Sequence, residues 1–545
     1  MDHVRAINRL RSRDVLSAAL IYAIFDRLNG DFFFDPFEIE HAIANRDTLI
    51  DELVEELRNP GQFEPRPAFA YFPPKNELCD RRFIYVPIKD LTVRYAITLI
   101  FSEQIETEIH PQCFANRRAT GDDAERRFTE DFASGGWGRF CQWQAERCGD
   151  NTILLRTDIS SFYDSISHDY LIDTVCRHLM LPADCELINL FRRLLRIPVI
   201  YYSPSTGQIE GPATIHQGLP IGDGVEGYLA NLYLRDVDDA MVRAEAVYGR
   251  YVDDIRLFGS SRQQVLYHLR ILQEQLLRKG LNLNSSKTEI AEDVRSMGEL
   301  MSRLYYGEGY GFEKDEQAGS AIQRRIDRPF EEFSRTFTED QALKKGSDAR
   351  DFCKFLGAHA ENGQPLVALA DRQNWHVERL RECVVRWRNP TKHAVWLLAQ
   401  TATYRGVPTA IQQRARDIIL ALLVDDSVNS YSRYRLLHHI VKRRQTRRGR
   451  LFRFVDHFSA DERRRIEDLL FRYLAAPAFE LNLLALYVFR ILGRSAPELR
   501  RIVSEHCRAG CDPIRNALEA VTQIPETQLQ STAALDEPDA TPGPY

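Results

Sequence analysis

Two stretches of the chain carry a strand pattern that ends in acid. From Ile153 the sequence reads ILLRTD, an apolar run closed by Asp158, and a polar and aromatic turn follows (SSFYDSI). From Val247 the run VYGRYVDDIRLF sets apolar, β-prone residues on both sides of Asp253 and Asp254, with Gly249 before and Gly259-Ser260-Ser261 after. The first predicts a strand delivering an acid at its end. The second predicts two short strands joined by a tight turn that carries the adjacent carboxylates. Between them, QGLPIGDGVEGYLANLYL (217–234) is a Gly/Pro-rich loop running into a helix that starts near Val225. The first seventy residues read as amphipathic helices, Val4 to Leu28 and Phe37 to Leu57, the second ending before Asn59-Pro60-Gly61. The stretch 71–118 predicts strands around RRFIYVP and then a helix from Leu91 to Ile109. In the segment after it, Trp137, Phe140 and Trp143 fall at helical spacing, which favours core packing over stacking on bases.

Beyond residue 312 the pattern changes to recurring amphipathic helices with few strand signals. We expect Trp375 to Arg388, Thr391 to Tyr404, Thr409 to Val424, Ser427 to Val441, Ala460 to Leu474, Phe479 to Leu492 and Pro497 to Cys507. Antiparallel pairs stacked as a degenerate HEAT-like array are the economical packing of such helices. The expected organisation is an N-terminal helical extension (1–70), a mixed region (71–150), the acid-bearing core (151–310), the helical array (311–525) and a Pro/Thr/Asp-rich disordered tail (526–545). The fold class is α+β followed by an all-α region.

Composition narrows the chemistry. A chain of 545 residues with 44% hydrophobic and 28% charged residues has material for more than one core. Apolar runs such as Ile418 to Val424 are too short to cross a bilayer, and the first residues have no secretory apolar core. Ten scattered cysteines, of which only Cys507 and Cys511 lie close in sequence, predict neither disulfides nor zinc, and a reducing cytoplasm is expected. The net charge of −6 means that contact with nucleic acid must be local. Lys442 to Arg453 packs seven basic residues into twelve, so Lys442, Arg443, Arg444, Arg447, Arg448 and Arg450 are the candidate phosphate contacts outside the acid-bearing core.

Adjacent carboxylates at a turn repel unless a cation lies between them, and an oxygen-only donor set suits Mg²⁺. A strand ending in Asp beside a hairpin carrying Asp-Asp is a way to hold two divalent ions about 4 Å apart for phosphoryl transfer.

At this point the order of motifs resembles the palm of a reverse transcriptase: strand-Asp158, the Gly-rich loop, Tyr251-Val252-Asp253-Asp254, then Gly280 to Lys287 (GLNLNSSK). Upstream, Arg82 to Pro87 (RFIYVP), Lys89-Asp90, Arg94 and Phe114 to Arg118 resemble the fingers of group II intron and retron enzymes. The resemblance covers roughly residues 75 to 300 and implies a right-hand polymerase of fingers and palm. It implies that Asp158, Asp253 and, more weakly, Asp254 bind two Mg²⁺ ions, with the carbonyl of Ile159 contributing and Mn²⁺ able to substitute. Lys287 would neutralise or protonate the departing pyrophosphate. Arg82 would grip the triphosphate as a bidentate fork. Tyr251 would lie beside the primer end, and Gln217, Gly218, Pro220 and Gly222 would line the nucleotide site. Tyr163, placed after Asp158 where the family keeps a large aromatic, would exclude a 2′-hydroxyl and select dNTPs, so DNA is the expected product.

One departure stands out. Where intron and retron enzymes carry Pro-Gln-Gly and then a small Ser, this chain has Pro220-Ile221-Gly222 and Glu226. With the long helical half, this form resembles abortive-infection and defence-associated bacterial reverse transcriptases, some of which extend DNA without a template. A buried Glu226 needs a donor, from a helix cap or a base edge. The expected function is a DNA polymerase of antiphage defence, templated or not, protein-primed or not. The alternatives are a retron-type enzyme with a bound non-coding RNA, or a silent nucleic-acid scaffold. A homo-oligomer or a partner defence protein fits either enzyme.

Overall fold

The computed structural model describes residues 2–292 and 375–506, apart from short stretches at 30–32, 34, 76–77, 131–134, 203–208, 222, 388–390, 404–405, 442, 446–450 and 477. The expected disordered tail lies outside the described residues, as do Cys507 and Cys511.

The N-terminal segment forms α1 (His3–Leu10), α2 (Arg13–Asn29), α3 (Pro36–Ala44) and α4 (Arg46–Glu56). Each of the two long helices read from the sequence is thus a pair, broken at Arg11-Ser12 and at Asn45. Capping explains two of the starts: Asp2 accepts from the Val4 and Arg5 amides, and Asp35 from those of Phe37 and Glu38. Next come β1 (Ala68–Tyr71), β2 (Phe83–Tyr85), α5 (Ile88–Ile105), α6 (Trp137–Asp150), β3 (Ile153–Asp158), α7 (Phe162–Ser165), α8 (His168–Leu179), α9 (Glu186–Leu195), β4 (Pro198–Tyr202) and β5 (Ile209–Thr214). Then follow α10 (Gly224–Tyr233), α11 (Arg235–Arg243), β6 (Val247–Tyr251), β7 (Asp254–Gly259), α12 (Arg262–Arg278) and β8 (Glu289–Glu292).

Two four-stranded sheets result, ordered β2-β1-β4-β5 and β6-β7-β3-β8. The second is antiparallel throughout, and α6 lies on one of its faces: Phe140 and Trp143 pack with Phe114, Leu154 and Phe258, and Trp137 joins them. The predicted aromatic stripe is therefore core.

The first sheet sorts its side chains by the strand period of two. Ala68, Ala70, Ile84 and Val86 face the main core, which runs through α1, α2, α5, α8, α9, α10 and α12. Phe69, Tyr71, Phe83 and Tyr85 face the other way, into a second core built with the C-terminal helices. Those helices are α13 (Trp375–Glu382), α14 (Thr391–Thr403), α15 (Thr409–Val424), α16 (Ser430–Val441), α17 (Ala460–Leu474), α18 (Phe479–Ile491) and α19 (Ala496–His506). Neighbours pack in sequence, α14 on α15 and α17 on α18, with α16 crossing to α18. The region is not all-α. Within the basic run, β9 (Arg443–Gln445) and β10 (Leu451–Arg453) pair antiparallel; like charges three and four apart would have opposed a helix there. No helix among the described residues is long and apolar enough to cross a membrane.

The seam between the first sheet and the helices is aromatic. Phe69 stacks on Phe479 with centroids 4.0 Å apart. Phe33 lies among Tyr71, Tyr85, Tyr434 and Phe479 at 5.2–5.7 Å. At its edge Arg490 pairs with Glu40 at 2.6 Å. Beneath it the buried cap Asp35 is pushed up to about 7, by desolvation first and by neighbouring Glu38 second.

Two outcomes follow. Phe479→Ala should remove about 3–5 kcal/mol through the cavity it leaves, read as a fall of several degrees in the apparent melting temperature; an unchanged transition would mean the seam is not core. Asp35 has a folded pKa above its unfolded value, so the folded state binds the extra proton. Its contribution is fully present below about pH 4 and is lost as pH rises through about 7. Asn is an equally good cap, so Asp35→Asn should flatten the stability profile over that window in pH-dependent melts.

Candidate active site

The hairpin β6–β7 closes on two residues, Val252 and Asp253, with Tyr251 opposite Asp254. On its other edge β7 pairs with β3 in the register Asp158↔Asp254. The acid-ended strand and the acid-bearing turn therefore meet at one end of the second sheet. The Ile159 amide donates to the Asp253 carbonyl at 3.3 Å and ties the strand end to the turn.

The turn is strained and held from behind. Val252 has φ of +57°, a left-handed conformation that a β-branched residue rarely adopts. Arg250, 0% exposed, donates to the Val252 carbonyl at 3.4 Å and to Asn231 Oδ1 at 2.8 Å. Its fork binds both oxygens of Asp238 at 2.8 and 2.7 Å, and the Tyr248 hydroxyl donates to the same carboxylate at 2.9 Å. A buried pair broken on one side leaves an uncompensated charge, so the network locks the hairpin. Sequence reading missed this pair. Its signal was a lone arginine inside an otherwise apolar strand.

The three acids have different surroundings. Asp158 is paired with Lys287 Nζ at 2.6 Å, and the Asn284 side chain donates to its other oxygen at 3.4 Å. Asp254 is held bidentately by Arg256 at 2.6 and 3.0 Å, and Arg256 in turn donates to Gln144 of α6 at 3.0 Å. Asp253 is pushed up to about 6, by burial and then by repulsion from Asp158. Among the described residues no three metal-ligating side chains are gathered into a cage. The donor set nevertheless fits a divalent cation. It is all oxygen, and the raised Asp253 carries the negative charge that a cation would relieve.

Of the other predicted residues, Tyr163 senses the charge of Asp253 and Tyr251 stands opposite Asp254 across the hairpin. Tyr163 is half-buried beside Phe162, with ring centroids 5.5 Å apart, and burial together with the charge of Asp253 raises its phenol. Tyr251 leans on Trp137, edge to face at 5.1 Å. Gly218, at φ +89°, passes so close to α7 that a Cβ would lie 3.1 Å from the Asp164 carbonyl. The Leu219 amide donates to the Tyr163 carbonyl at 2.9 Å, and Gln217 donates to the Ser165 carbonyl at 3.2 Å. Pro220 is buried. Ile221 packs against the second core rather than standing free.

Arg82 donates to Asp164 Oδ1 at 2.8 Å and to the Tyr201 hydroxyl at 3.4 Å, linking the first sheet to α7, which holds Tyr163. Glu226 is neither a cap nor a base contact. It is fully buried against Arg94 of α5, Nε donating at 2.8 Å and Nη2 lying at 2.6 Å. Gly222, Lys442, Arg447, Arg448 and Arg450 lie outside the described residues; Arg443 and Arg444 lie in β9.

Residues 102–359 match the family model of reverse transcriptase (RNA-dependent DNA polymerase). No curated protein matches the chain. Among solved structures, apo telomerase from Candida tropicalis truncated from the C-terminal domain matches at 10% identity and a TM-score of 0.31, over 41% of this chain and 50% of that one. Telomerase from Candida albicans in complex with a TWJ fragment of telomeric RNA matches at 8% identity and a TM-score of 0.33, over 70% of this chain and 66% of that one. The chain thus spans half to two thirds of those proteins, a likeness too distant to carry an argument. The stretch similar to that family takes in Asp158, the acid hairpin and Lys287.

Proposed function

We propose that the protein is a DNA polymerase of the reverse transcriptase type, adding dNTPs to a 3′ end in bacterial antiphage defence. The observation that carries the reading is the register Asp158↔Asp254 with Asp253 in the turn between, acids far apart in sequence meeting at one sheet end. In the reaction the 3′-hydroxyl gives its proton to water, its oxygen bonds to the α-phosphorus, the bond from that phosphorus to the bridging oxygen breaks, and pyrophosphate leaves. Asp158, Asp253 and the Ile159 carbonyl would hold divalent metal, with Asp254 a weaker ligand because Arg256 already occupies both of its oxygens. Bound there, Mg²⁺ or Mn²⁺ supplies charge neutralisation to the attacking and leaving oxygens.

This chain's own groups do the rest. Arg82 exchanges Asp164 for triphosphate oxygens. Lys287 turns from Asp158 to the departing pyrophosphate and hands it a proton. Tyr163 closes the space where a 2′-hydroxyl would sit. The defence role rests on the resemblance of the Pro220-Ile221-Gly222 loop and of the long helical half to abortive-infection enzymes. Ile221 packs into the second core, which leaves no glutamine to support a templated pair at that position. Untemplated or protein-primed extension is therefore part of the proposal, as are a cytoplasmic setting and a partner protein or second copy. A retron-type enzyme copying a bound non-coding RNA is the second reading, favoured by the Arg82-to-Lys287 order of motifs that the two groups share.

Purified protein with Mg²⁺ and each dNTP should incorporate label, and Asp253→Asn should reduce the rate on the order of 100-fold or more. Incorporation without added RNA supports untemplated synthesis, and a requirement for copurifying RNA supports the retron-type reading. No incorporation under any condition would leave a silent nucleic-acid binder. Tyr163→Val should let ribonucleotides compete, raising their relative kcat/KM about 10-fold or more; unchanged sugar discrimination would refute the role given to that ring.

A further inference from the structure

Beside the aromatic seam, the start of α16 makes a polar contact with the connection between β1 and β2. Three successive residues at the start of α16 make three separate contacts. Asn429 donates from Nδ2 to the Phe72 carbonyl and to Asp80 Oδ2, both at 3.3 Å. Ser430 donates to the buried Glu480 of α18 at 2.7 Å. Tyr431 stacks on Tyr71 of β1 with centroids 5.8 Å apart. The Asn429 amide is oriented from its other end, because its Oδ1 accepts from the Tyr431 amide at 2.8 Å. A side-chain amide fixed at its oxygen has both hydrogens committed in direction.

What those hydrogens reach is the base of the turn between β1 and β2. Phe72 is on the outgoing limb and Asp80 on the returning one. Between these two contacts the Arg81 amide donates to the Pro73 carbonyl at 2.8 Å, closing the limbs on each other. Arg82 is the next residue, and its guanidinium reaches across to Asp164 and Tyr201. A small tilt of the limbs moves the end of that long side chain most, and misplacement of about 1 Å can cost a reaction 100-fold.

We propose that Asn429 is a positioning residue for nucleotide binding: the helical array clamps both limbs of the β1–β2 turn and so sets where Arg82 meets the triphosphate. The inference rests on the polymerase reading for the ligand of Arg82, while the clamp itself stands on geometry. It gives the C-terminal region a part in the chemistry without any of its residues touching substrate.

Asn429 also caps α16, and Asn429→Asp separates the two roles. Aspartate keeps the capping oxygen, removes both donors, and sets a carboxylate against the Phe72 carbonyl and Asp80. The full-length variant should melt close to wild type. Its amides between Lys75 and Phe83 should exchange with deuterium faster, and its KM for dNTP should rise on the order of three- to ten-fold with kcat little changed. In an Arg82→Ala background the same substitution should leave KM where Arg82→Ala alone puts it. Wild-type exchange in the turn overturns the clamp. Faster exchange with an unchanged KM, or an effect on KM that survives loss of Arg82, overturns its link to Arg82. If the wild-type protein incorporates no dNTP at all, the polymerase reading fails instead, and the exchange measurement alone decides the clamp.

Discussion

The structure depends on one pair of strands being buried on both faces. β1 and β2 present small and aliphatic side chains to the main core and aromatic rings to the helical array, and every residue of both strands is buried. An antiparallel pair with one wet face would alternate apolar with polar residues; here AFAY and FIY are apolar throughout. The N-terminal helices complete the same seam, since Phe33 sits among its rings and Glu40 holds Arg490. The strand pair whose second strand begins right after Arg82 is therefore pinned between two cores. Its position relative to the acids is set by hydrophobic burial on both sides rather than by a loop.

At the acids the same economy appears in electrostatic form. A pocket that gathers negative charge has to be built before any cation arrives. Lys287 and Arg256 balance Asp158 and Asp254, while Arg250 and Asp238 fix the turn from behind. Asp253 is the acid left uncomfortable, and it is the one at the tip. Strain in Val252 and charge in Asp253 are concentrated in two adjacent residues. The surroundings over-determine both, as expected where conformation serves a site.

Much of this was legible in the chain. The period-two runs around Asp158 and the acid pair placed both strands and their turn, because a strand and a hairpin are local patterns. Helix ends marked by Pro390, Pro408, Asp425 and Gly493 placed most of the array within a residue or two. The illegible part was pairing across distance. Nothing in the spacing of Arg250 and Asp238, of Arg94 and Glu226, or of Asn429 and Asp80 says that they meet, since each depends on how helices pack. Glu226 shows this best. Its burial was readable, but its partner lies on α5, and only the packing of α5 against α10 brings Arg94 to it. The break in the first predicted helix was hidden for a different reason: Arg11 and Ser12 interrupt a polar face, where periodicity carries no signal.

The doubly buried strand pair also bears on how such chains diversify. A terminal module joined by a linker can be traded between lineages, because its partner does not notice the exchange. Here Phe69, Tyr71, Phe83 and Tyr85 belong structurally to the distant C-terminal half while sitting inside the N-terminal one. Recombination between the halves would strand a row of rings in water or leave a hollow beneath foreign helices. The two halves are bound to be inherited together.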